Sequence, residues 1–308
     1  MGAMIQQKVR TWTVRELMKF AIDHLQKLGF EETRLTVELL LSHSLGCQRI
    51  QLYTSFDKPL TKEELARFRG LYERRLVHEP VQYIVGSTNF MGLQLRVDSA
   101  VLIPRPETET LVEQAMILCK EFEREEAISI IELGTGSGNI AIALAKFVKN
   151  ASIVSIDRSP EAIELARENA ISCKVDSKID FKLIDMFEPV DQLLLKRFDV
   201  LVSNPPYISS EEWEGLSTEV KRYEPRAALT DFKDGFEFHR RIVELAPFLL
   251  RNKAGVFVEV GYGQAKQVGD FMRDAGFSDV RSFPDLQGIQ RVVKGTCPSN
   301  LRGFVNNN

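Results

Sequence analysis

Helical spacing of apolar residues dominates the first eighty positions. A capping box begins at Thr13, and apolar residues then recur three and four positions apart. A second helix is predicted over residues 33–45, and a third begins at a capping box at Thr61 and ends before Pro80. Amphipathic helices bury their apolar stripes against one another, so we predict a small helical bundle over residues 5–79.

The pattern then changes to one that is typical of strands. Residues 81–85 and 93–97 are rich in aliphatic and β-branched side chains, and glycines at positions 86 and 92 interrupt the pattern. Two short strands this close in sequence pair as a hairpin. We therefore predict a β-hairpin connector over residues 80–103.

From residue 127 onward, short apolar runs alternate with helical segments. Helices are predicted after most of these runs, among them one that begins at Ser159-Pro160. Such alternation is typical of a parallel sheet with helices on both faces, a doubly wound α/β fold. The five predicted strands cover residues 127–133, 152–157, 179–184, 198–203 and 255–260.

The end of the chain departs from this alternation. Strand-like runs at 279–283 and 290–293 are separated by a short segment that contains Pro284 and Gly288. A helical crossover needs about a dozen residues or more, so this last pair is predicted to be antiparallel. We predict one Rossmann-like α/β domain over residues 104–308, with an antiparallel last strand.

Composition and charge exclude several classes of protein. The chain of 308 residues is 44% hydrophobic and 27% charged, which is ordinary for a globular protein with one or two domains. No apolar run approaches the roughly 20 residues of a membrane helix, so we expect no membrane association. The net charge of −3 gives no bias toward nucleic acid, and we expect no direct nucleic-acid partner.

Cysteine usage indicates a reducing compartment. The cysteines lie far apart and include no C-x-x-C pair, so we expect thiols that form neither disulfides nor a metal site. The N-terminus lacks signal-peptide character, which favours a cytoplasmic location. The cysteines are Cys47, Cys119, Cys173 and Cys297.

A glycine-rich turn, Gly-Thr-Gly-Ser-Gly, follows the first predicted strand of the sheet. Its glycines let the backbone turn tightly and let a ligand approach closely. Asp157 ends the next strand, where an acidic residue typically binds ribose hydroxyls. An adenosine-containing cofactor is indicated, but these residues alone do not choose between NAD and S-adenosylmethionine. The candidate cofactor-binding residues are Gly134, Thr135, Gly136, Ser137, Gly138 and Asp157.

The third strand ends at Asp185-Met186-Phe187, which by position flanks the adenine of such a cofactor. Asp185 can accept a hydrogen bond from the exocyclic amine. Either Met186 or Phe187 can pack on the ring, because thioether and aromatic side chains both favour that contact. Phe187 is equally compatible with a place in the core.

The fourth strand ends at Ser203, and Asn-Pro-Pro-Tyr follows at residues 204–207. Two prolines force the chain to turn, so these side chains project beyond the carboxyl edge of the sheet, where such folds bind ligands. Asn204 offers an acceptor and a donor, the Pro205 carbonyl accepts, and Tyr207 presents a flat face. This set suits a planar group that carries an NH₂. Together with the antiparallel last strand, it favours S-adenosylmethionine over NAD.

Four motifs follow one another along the chain. They are Ile-Pro-Arg-Pro-Glu-Thr-Glu at residues 103–109, Glu-Leu-Gly-Thr-Gly-Ser-Gly at 132–138, Asn-Pro-Pro-Tyr at 204–207 and Glu-Pro-Arg-Ala-Ala-Leu at 224–229. Together they resemble the release-factor glutamine methyltransferase family (PrmC/HemK), over nearly the whole chain. Asn-Pro-Pro-Tyr alone is shared with DNA adenine methyltransferases, whereas the proline-arginine-proline segment with a helical N-terminal domain is much more specific.

The resemblance implies an enzyme that uses S-adenosylmethionine as its cofactor. The family methylates the side-chain amide of the Gln in the Gly-Gly-Gln loop of class-1 peptide chain release factors, which act in translation termination. Residues 104–308 would then be the methyltransferase domain, and we predict that the bundle at 5–79 recognises the protein substrate. Met186 stands where some members carry an aromatic residue. We expect a monomer.

The chemistry of this reaction gives roles to residues 204–207. A carboxamide nitrogen is a poor nucleophile because its lone pair is delocalised into the carbonyl. The Asn204 side-chain oxygen and the Pro205 carbonyl would hold the NH₂ and stabilise the positive charge that grows on it. Tyr207 would stack on the amide plane, so Asn204, Pro205 and Tyr207 are the predicted catalytic residues. Pro206 joins them in binding the substrate, and Asn204 is also expected to contact the cofactor.

The proline-rich segment at residues 103–109 is stiffer than a helix start requires. We predict that it holds side chains in place around the pocket. Either Leu102 or Ile103 would wall the pocket, and either Glu107 or Thr108 would brace it.

Two other functions fit part of the pattern. Adenine also presents a conjugated NH₂, so adenine-N6 methylation of nucleic acid is the alternative enzymatic function. Such an enzyme is expected to carry a basic face and a target-reading region, and the net charge of −3 argues against it. A nucleotide-binding scaffold without turnover is disfavoured by the presence of Asn204 and of the glycines.

Overall fold

The computed structural model of the protein describes residues 11–122, 126–189, 194–195 and 197–298. The chain divides into two compact units, with the boundary between Gly86 and Ser87. Each unit has hydrophobic cores of its own. The predicted outer bounds of the domains, residues 5 and 308, lie outside the described residues.

The described part of the first unit is helical, which confirms the helical N-terminal region predicted from apolar spacing. The Thr13 hydroxyl accepts from the Glu16 N–H at 3.3 Å, and the Glu16 carboxylate accepts from the Thr13 N–H at 3.0 Å. Thr61 and Glu64 form the second predicted capping box. The helices are α1 (Val14–Lys27), α2 (Thr33–Leu45), α3 (Arg49–Thr54), α4 (Lys62–Leu76) and α5 (Val81–Val85).

The prediction of a strand over residues 81–85 is wrong, because these residues form the short helix α5. It begins after Pro80 and ends at Gly86, whose φ is 75°. The Ile84 N–H donates to the Pro80 carbonyl at 3.0 Å, which closes a helical turn. Val81 and Ile84 are both buried in the core of the helical unit. Burial along one helical face thus outweighs the β-propensity of the sequence.

The hairpin lies later in the chain than predicted, in the second unit. Strand β1 (Ser87–Phe90) pairs antiparallel with strand β2 (Leu93–Arg96). Met91 and Gly92, between the strands, have φ values of 49° and 76°. Positive φ at both positions is the backbone of a two-residue turn whose twist matches that of the strands. The second predicted strand is confirmed, and the first is replaced by β1.

A seven-stranded sheet forms the centre of the second unit. Its strands are β3 (Ile128–Leu133), β4 (Ala151–Asp157), β5 (Ile179–Leu183), β6 (Phe198–Ser203), β7 (Leu250–Glu259), β8 (Ser278–Pro284) and β9 (Gln290–Thr296). They lie in the order β5-β4-β3-β6-β7-β9-β8, with β3 to β7 parallel and β9 antiparallel to both of its neighbours. The predicted α/β fold and its antiparallel last pair are confirmed.

Helices cover both faces of this sheet, as its continuously apolar strands require. They are α6 (Glu107–Glu121), α7 (Asn139–Phe147), α8 (Pro160–Cys173), α10 (Glu237–Leu249) and α11 (Ala265–Asp274), and a further short helix, α9 (Thr218–Tyr223), lies between β6 and α10 in the chain. Successive side chains of β3 point to opposite faces, so Ile130 packs in the core beneath α6, α7 and α8, and Ile131 in the core beneath α10 and α11. No helix within the described ranges is long and apolar enough to cross a membrane.

The strand order reverses between β3 and β6. From β3 the chain continues outward to β4 and β5, and from β6 it continues to β7 on the other side. Open α/β sheets bind ligands at such a switch point, beyond the carboxyl ends of the strands. The Ser203 hydroxyl donates to the Leu133 carbonyl at 2.6 Å and joins the two strand ends where this crevice opens.

Candidate active site

A cleft of about 240 Å³ opens at the switch point. The glycine turn after β3 and the ends of β4, β5 and β6 line it, together with residues of the segments 100–108 and 225–228 and Phe238. The structure therefore brings together most of the residues predicted to bind a cofactor. Those that line the cleft are Gly134, Gly136, Ser137, Asp157, Asp185, Met186 and Asn204.

The remaining two residues of the glycine turn, Thr135 and Gly138, do not line the cleft but hold its shape. Thr135 is buried, and its hydroxyl lies 2.6 Å from Ser155 Oγ. Gly138 has a φ of 81°, and a Cβ there would lie 3.0 Å from both Ala166 Cβ and Ile142 Cδ1. Glycine alone tolerates both the positive φ and the lack of space for a Cβ, and its presence lets α7 and α8 approach each other closely.

Asp157 makes contacts that its position in the sequence did not reveal. Its Oδ2 accepts from the Gly136 N–H and its Oδ1 from the Ser159 N–H, both at 2.9 Å. The carboxylate thereby ties the glycine turn to the start of α8. An ionised carboxylate has about four acceptor sites, so capacity remains for the two hydroxyls of a ribose.

A buried acid lies under this turn. Glu132, near the end of β3, accepts a hydrogen bond from the Ser155 hydroxyl. Burial, together with the charge of Asp157, raises the pKa of Glu132 to about 8. Burial thus favours the neutral form of Glu132, and Asp157 is the acidic residue that lines the cleft.

The segment after β5 forms the wall that was predicted to flank an adenine. Met186 lines the cleft, whereas the Phe187 ring is 42% exposed and meets Phe238 edge-to-face at a centroid distance of 5.1 Å. Phe238 comes from α10 and lines the cleft as well, and no local sequence signal indicated it. Asp185 also lines the cleft, with its Oδ1 accepting from the Phe187 N–H at 2.9 Å. Met186 is thus better placed than Phe187 to pack on a ring.

The Asn-Pro-Pro-Tyr segment borders two cavities. Asn204 lines the main cleft and also a small adjoining cavity of about 30 Å³, whose wall includes Pro205 and Tyr207. Pro206 lines the main cleft. The Tyr207 hydroxyl donates to Glu259 Oε1 at 3.4 Å. Burial raises the pKa of the Tyr207 phenol well above its ordinary value, so this group stays neutral.

The Asn204 carboxamide has one hydrogen-bonded orientation. Its Nδ2 donates to Thr108 Oγ1 at 3.1 Å, which directs its oxygen away from Thr108. Thr108 is the second residue of α6 and is fully buried. Of the two side chains expected to brace the pocket, Thr108 makes this contact.

Glu224 joins two of the motifs into one wall. Its buried carboxylate accepts from the Ile103 N–H at 3.3 Å and forms an ion pair with the Arg105 guanidinium. A charged hydrogen bond in a buried place fixes the two loops relative to each other. Leu102 lines both cavities, whereas Ile103 is buried. Leu102 is therefore the residue that walls the pocket, and Glu224 is a partner that sequence reasoning did not find.

Comparisons with known proteins decide the family of this chain. Residues 16–86 match the PrmC N-terminal domain, and residues 124–238 match a methyltransferase domain. A release factor glutamine methyltransferase of Geobacter sulfurreducens is 43% identical, over 94% of this chain and 98% of that protein. The chain belongs to the release factor glutamine methyltransferase family. The resemblance drawn from the four motifs is confirmed.

Two solved structures are similar to this chain. A release factor-specific protein-(glutamine-N5) methyltransferase from Alicyclobacillus acidocaldarius is 32% identical, covering 64% of this chain and 94% of that chain with a TM-score of 0.39. The hMettl16 catalytic domain, solved with an RNA hairpin, has a TM-score of 0.51 at 17% identity, over 68% of this chain and 76% of that chain. At that identity the likeness concerns the fold alone. Within the described ranges, no three His, Cys, Asp or Glu side chains are grouped to hold a metal ion.

Proposed function

We propose that this protein transfers a methyl group from S-adenosylmethionine to a glutamine side-chain amide, in the Gly-Gly-Gln loop of class-1 peptide chain release factors. Membership of the family supports the substrate class. The observation that carries the mechanism is the position of Asn204, which lines both the main cleft and the small cavity beside it. The cleft suits the cofactor, the small cavity suits the substrate amide, and Asn204 borders both.

The residues of the main cleft fit S-adenosylmethionine. A Cβ at Gly136 would meet nothing within 4 Å, so the space beside the turn is open to a ligand. Asp157 has acceptor capacity for the ribose, and Met186 offers a polarizable surface for the adenine. When bound, S-adenosylmethionine supplies a methyl group attached to a positively charged sulfur.

Replacing Asp157 by alanine should weaken S-adenosylmethionine binding at least about tenfold, as measured by calorimetry. A hydrogen bond to a charged acceptor contributes roughly 1.5–3 kcal/mol, and a tenfold loss of affinity corresponds to about 1.4 kcal/mol. Because Asp157 also holds the Gly136 and Ser159 N–H groups, thermal unfolding of the variant is the control for its fold. Affinity equal to that of the unmodified protein would show that the ribose is bound by another group.

The substrate amide needs acceptors where positive charge develops. As the nitrogen bonds to the methyl carbon, the bond between that carbon and sulfur breaks, and positive charge moves from the sulfur onto the nitrogen. The Asn204 oxygen and the Pro205 carbonyl accept hydrogen bonds from its NH₂, and the nitrogen then loses one proton to water to give the neutral methylated amide. These hydrogen bonds strengthen in the transition state, so they lower the barrier rather than merely tighten binding. They also hold the nitrogen in line with the transferred methyl. This alignment raises the rate because the two reacting atoms no longer need to find the correct geometry by chance.

Tyr207 and Pro206 complete the substrate side. The Tyr207 ring borders the small cavity, and its hydroxyl is anchored on Glu259, so the ring is held as a flat surface for the amide plane. Pro206 borders the cleft next to it and has no N–H that could compete for the acceptors. Asn204, Pro205 and Tyr207 are the proposed catalytic residues.

We also propose how the rest of the chain serves this reaction. Residues 5–79 recognise the release factor, and residues 104–308 catalyse the methyl transfer. Residues 80–103 connect these two domains. The protein acts as a cytoplasmic monomer that does not contact nucleic acid directly. The net charge of −3 supports the absence of direct nucleic-acid contact, because phosphate groups attract proteins that carry an excess of Lys and Arg.

Incubation with isotopically labelled S-adenosylmethionine and a purified class-1 release factor tests this function. Mass spectrometry should locate the label on the glutamine of the Gly-Gly-Gln loop. A release factor with glutamate at that position is the matched control and should take up no label. DNA and RNA are included in parallel reactions. Label on adenine, with none on the release factor, would show that the alternative function is the correct one.

A further inference from the structure

A carboxamide can fill the same space in two orientations that exchange its oxygen and its NH₂. Only one of them serves the reaction proposed for Asn204, because the substrate NH₂ needs an acceptor. With the orientation reversed, two NH₂ groups would face each other and nothing would stabilise the growing positive charge. The protein therefore needs a group that fixes the Asn204 side chain, and this requirement rests on the proposed function.

Thr108 is placed to be that group. Its Oγ1 lies 3.1 Å from Asn204 Nδ2 and accepts the hydrogen bond. A hydroxyl can donate as well as accept, so it discriminates between the two orientations only if its own proton is directed elsewhere. Thr108 is 0% exposed, and its hydroxyl therefore cannot turn to solvent.

Glu259 offers an acceptor for that proton, because its buried Oε2 has no hydrogen-bond partner among the described residues. Glu259 ends β7, next to β6 in the sheet, and is 1% exposed. Burial raises the pKa of Glu259 to about 7, while the nearby Thr108 hydroxyl and the charge of Arg291 lower it. The same carboxylate accepts from the Tyr207 hydroxyl at 3.4 Å.

Glu259 is itself held in place from the opposite face of the sheet. The buried His239 ring, on α10, donates through Nε2 to the Glu259 backbone carbonyl at 2.9 Å. The end of β7 is therefore fixed independently of the substrate side. One buried acid thus accepts from Tyr207 through Oε1, and its Oε2 remains without a hydrogen-bond partner among the described residues.

We propose that Thr108 is a positioning residue that sets the orientation of the Asn204 carboxamide, and that Glu259 directs the Thr108 hydroxyl and the Tyr207 hydroxyl at the same time. The Thr108 proton points to Glu259, so the Thr108 oxygen presents its lone pairs to Asn204 Nδ2. The Asn204 oxygen is left to face the substrate amide. Neither Thr108 nor Glu259 touches the reacting atoms in this arrangement.

Two substitutions of Thr108 separate positioning from packing. Thr108→Val keeps the shape and removes the hydroxyl, and kcat should fall about tenfold to a hundredfold, the loss expected for misplacement of a reacting group. The KM values for both substrates should change by less than about threefold, because binding outside the transition state is preserved. Thr108→Ser restores the hydroxyl and should recover most of the lost kcat.

A purely structural role for Thr108 predicts the reverse order. Valine fills the buried site, whereas serine leaves a cavity there, so packing alone would make Thr108→Ser the poorer variant. The inference is overturned if Thr108→Val turns over like the unmodified enzyme, or if Thr108→Ser is as slow as Thr108→Val. Thermal unfolding and calorimetric binding of S-adenosylmethionine establish that each variant is folded.

Glu259→Gln tests the second half of the proposal. Glu259→Gln should lower kcat by itself. In the Thr108→Val background it should lower kcat by clearly less, because both changes remove the same interaction between Glu259 and Thr108. Equal losses of kcat in the two backgrounds would show that Glu259 does not act through Thr108.

Asn204→Ala, assayed in parallel, distinguishes failure of the proposed mechanism from failure of the positioning role alone. If Asn204→Ala stays active, the proposed mechanism fails. If it is inactive while Thr108→Val is fully active, only the positioning role fails.

Discussion

Asn204→Ala should lower kcat for methylation of a release factor by about two to three orders of magnitude. Removal of one group that stabilises developing charge typically has an effect of this size. Alanine also removes the donor to Thr108 Oγ1, but it leaves the glycine turn and Asp157 in place. S-adenosylmethionine affinity should therefore change far less than kcat, which places the loss in the transition state.

Single-turnover kinetics measure this effect without interference from product release. Asn139→Ala is a matched control, because Asn139 lines the same cleft on the side of the glycine turn. It loses the same carboxamide and should change the KM for S-adenosylmethionine more than kcat. A single-turnover rate for Asn204→Ala within a few-fold of the unmodified enzyme would contradict the acceptor role.

Removal of the first unit should separate recognition from chemistry. A chain of residues 87–308 begins at the observed boundary and keeps both cores of the second unit, together with the cleft. It should bind S-adenosylmethionine with unchanged affinity. Activity on an intact release factor should fall by two orders of magnitude or more, which corresponds to roughly 3 kcal/mol of lost contact energy.

The reason lies in how a folded substrate must be held. A protein that presents one loop to a pocket gains register and affinity from contacts made away from the reacting atoms. A short peptide that contains Gly-Gly-Gln does not extend to a second unit, so its methylation should be nearly the same with and without residues 1–86. Comparison of kcat/KM on peptide and on protein gives the test. Equal losses on both substrates would mean that the first unit only stabilises the second.

Structure that depends on near neighbours could be predicted from the sequence. The capping boxes at Thr13 and Thr61 need only two residues three positions apart, and both are present. The glycine turn needs positive φ at residues 134, 136 and 138, and all three have it. Alternation of apolar strands and helices was sufficient to predict the sheet, including its antiparallel end.

Prediction failed where a weak local preference competed with packing. Residues 81–85 have strand-forming side chains, yet Val81 and Ile84 are buried on one side of a helical turn. Five residues form too short a stretch for periodicity to distinguish a helix from a strand. The hairpin therefore starts at Ser87 rather than at residue 81.

The candidate residues Asn204, Pro205 and Asp157 could be selected from the sequence, because each stands at or just after the end of a recognisable strand. Their partners could not be selected in this way. Thr108 is 96 residues from Asn204, and Glu224 is 119 residues from Arg105. Such pairs depend on the tertiary structure, which brings together segments that lie far apart in the sequence. The sequence therefore specified which functional groups are present, whereas the tertiary structure specified which of them meet, since the Asn204 amide donates to a hydroxyl on another element, that of Thr108.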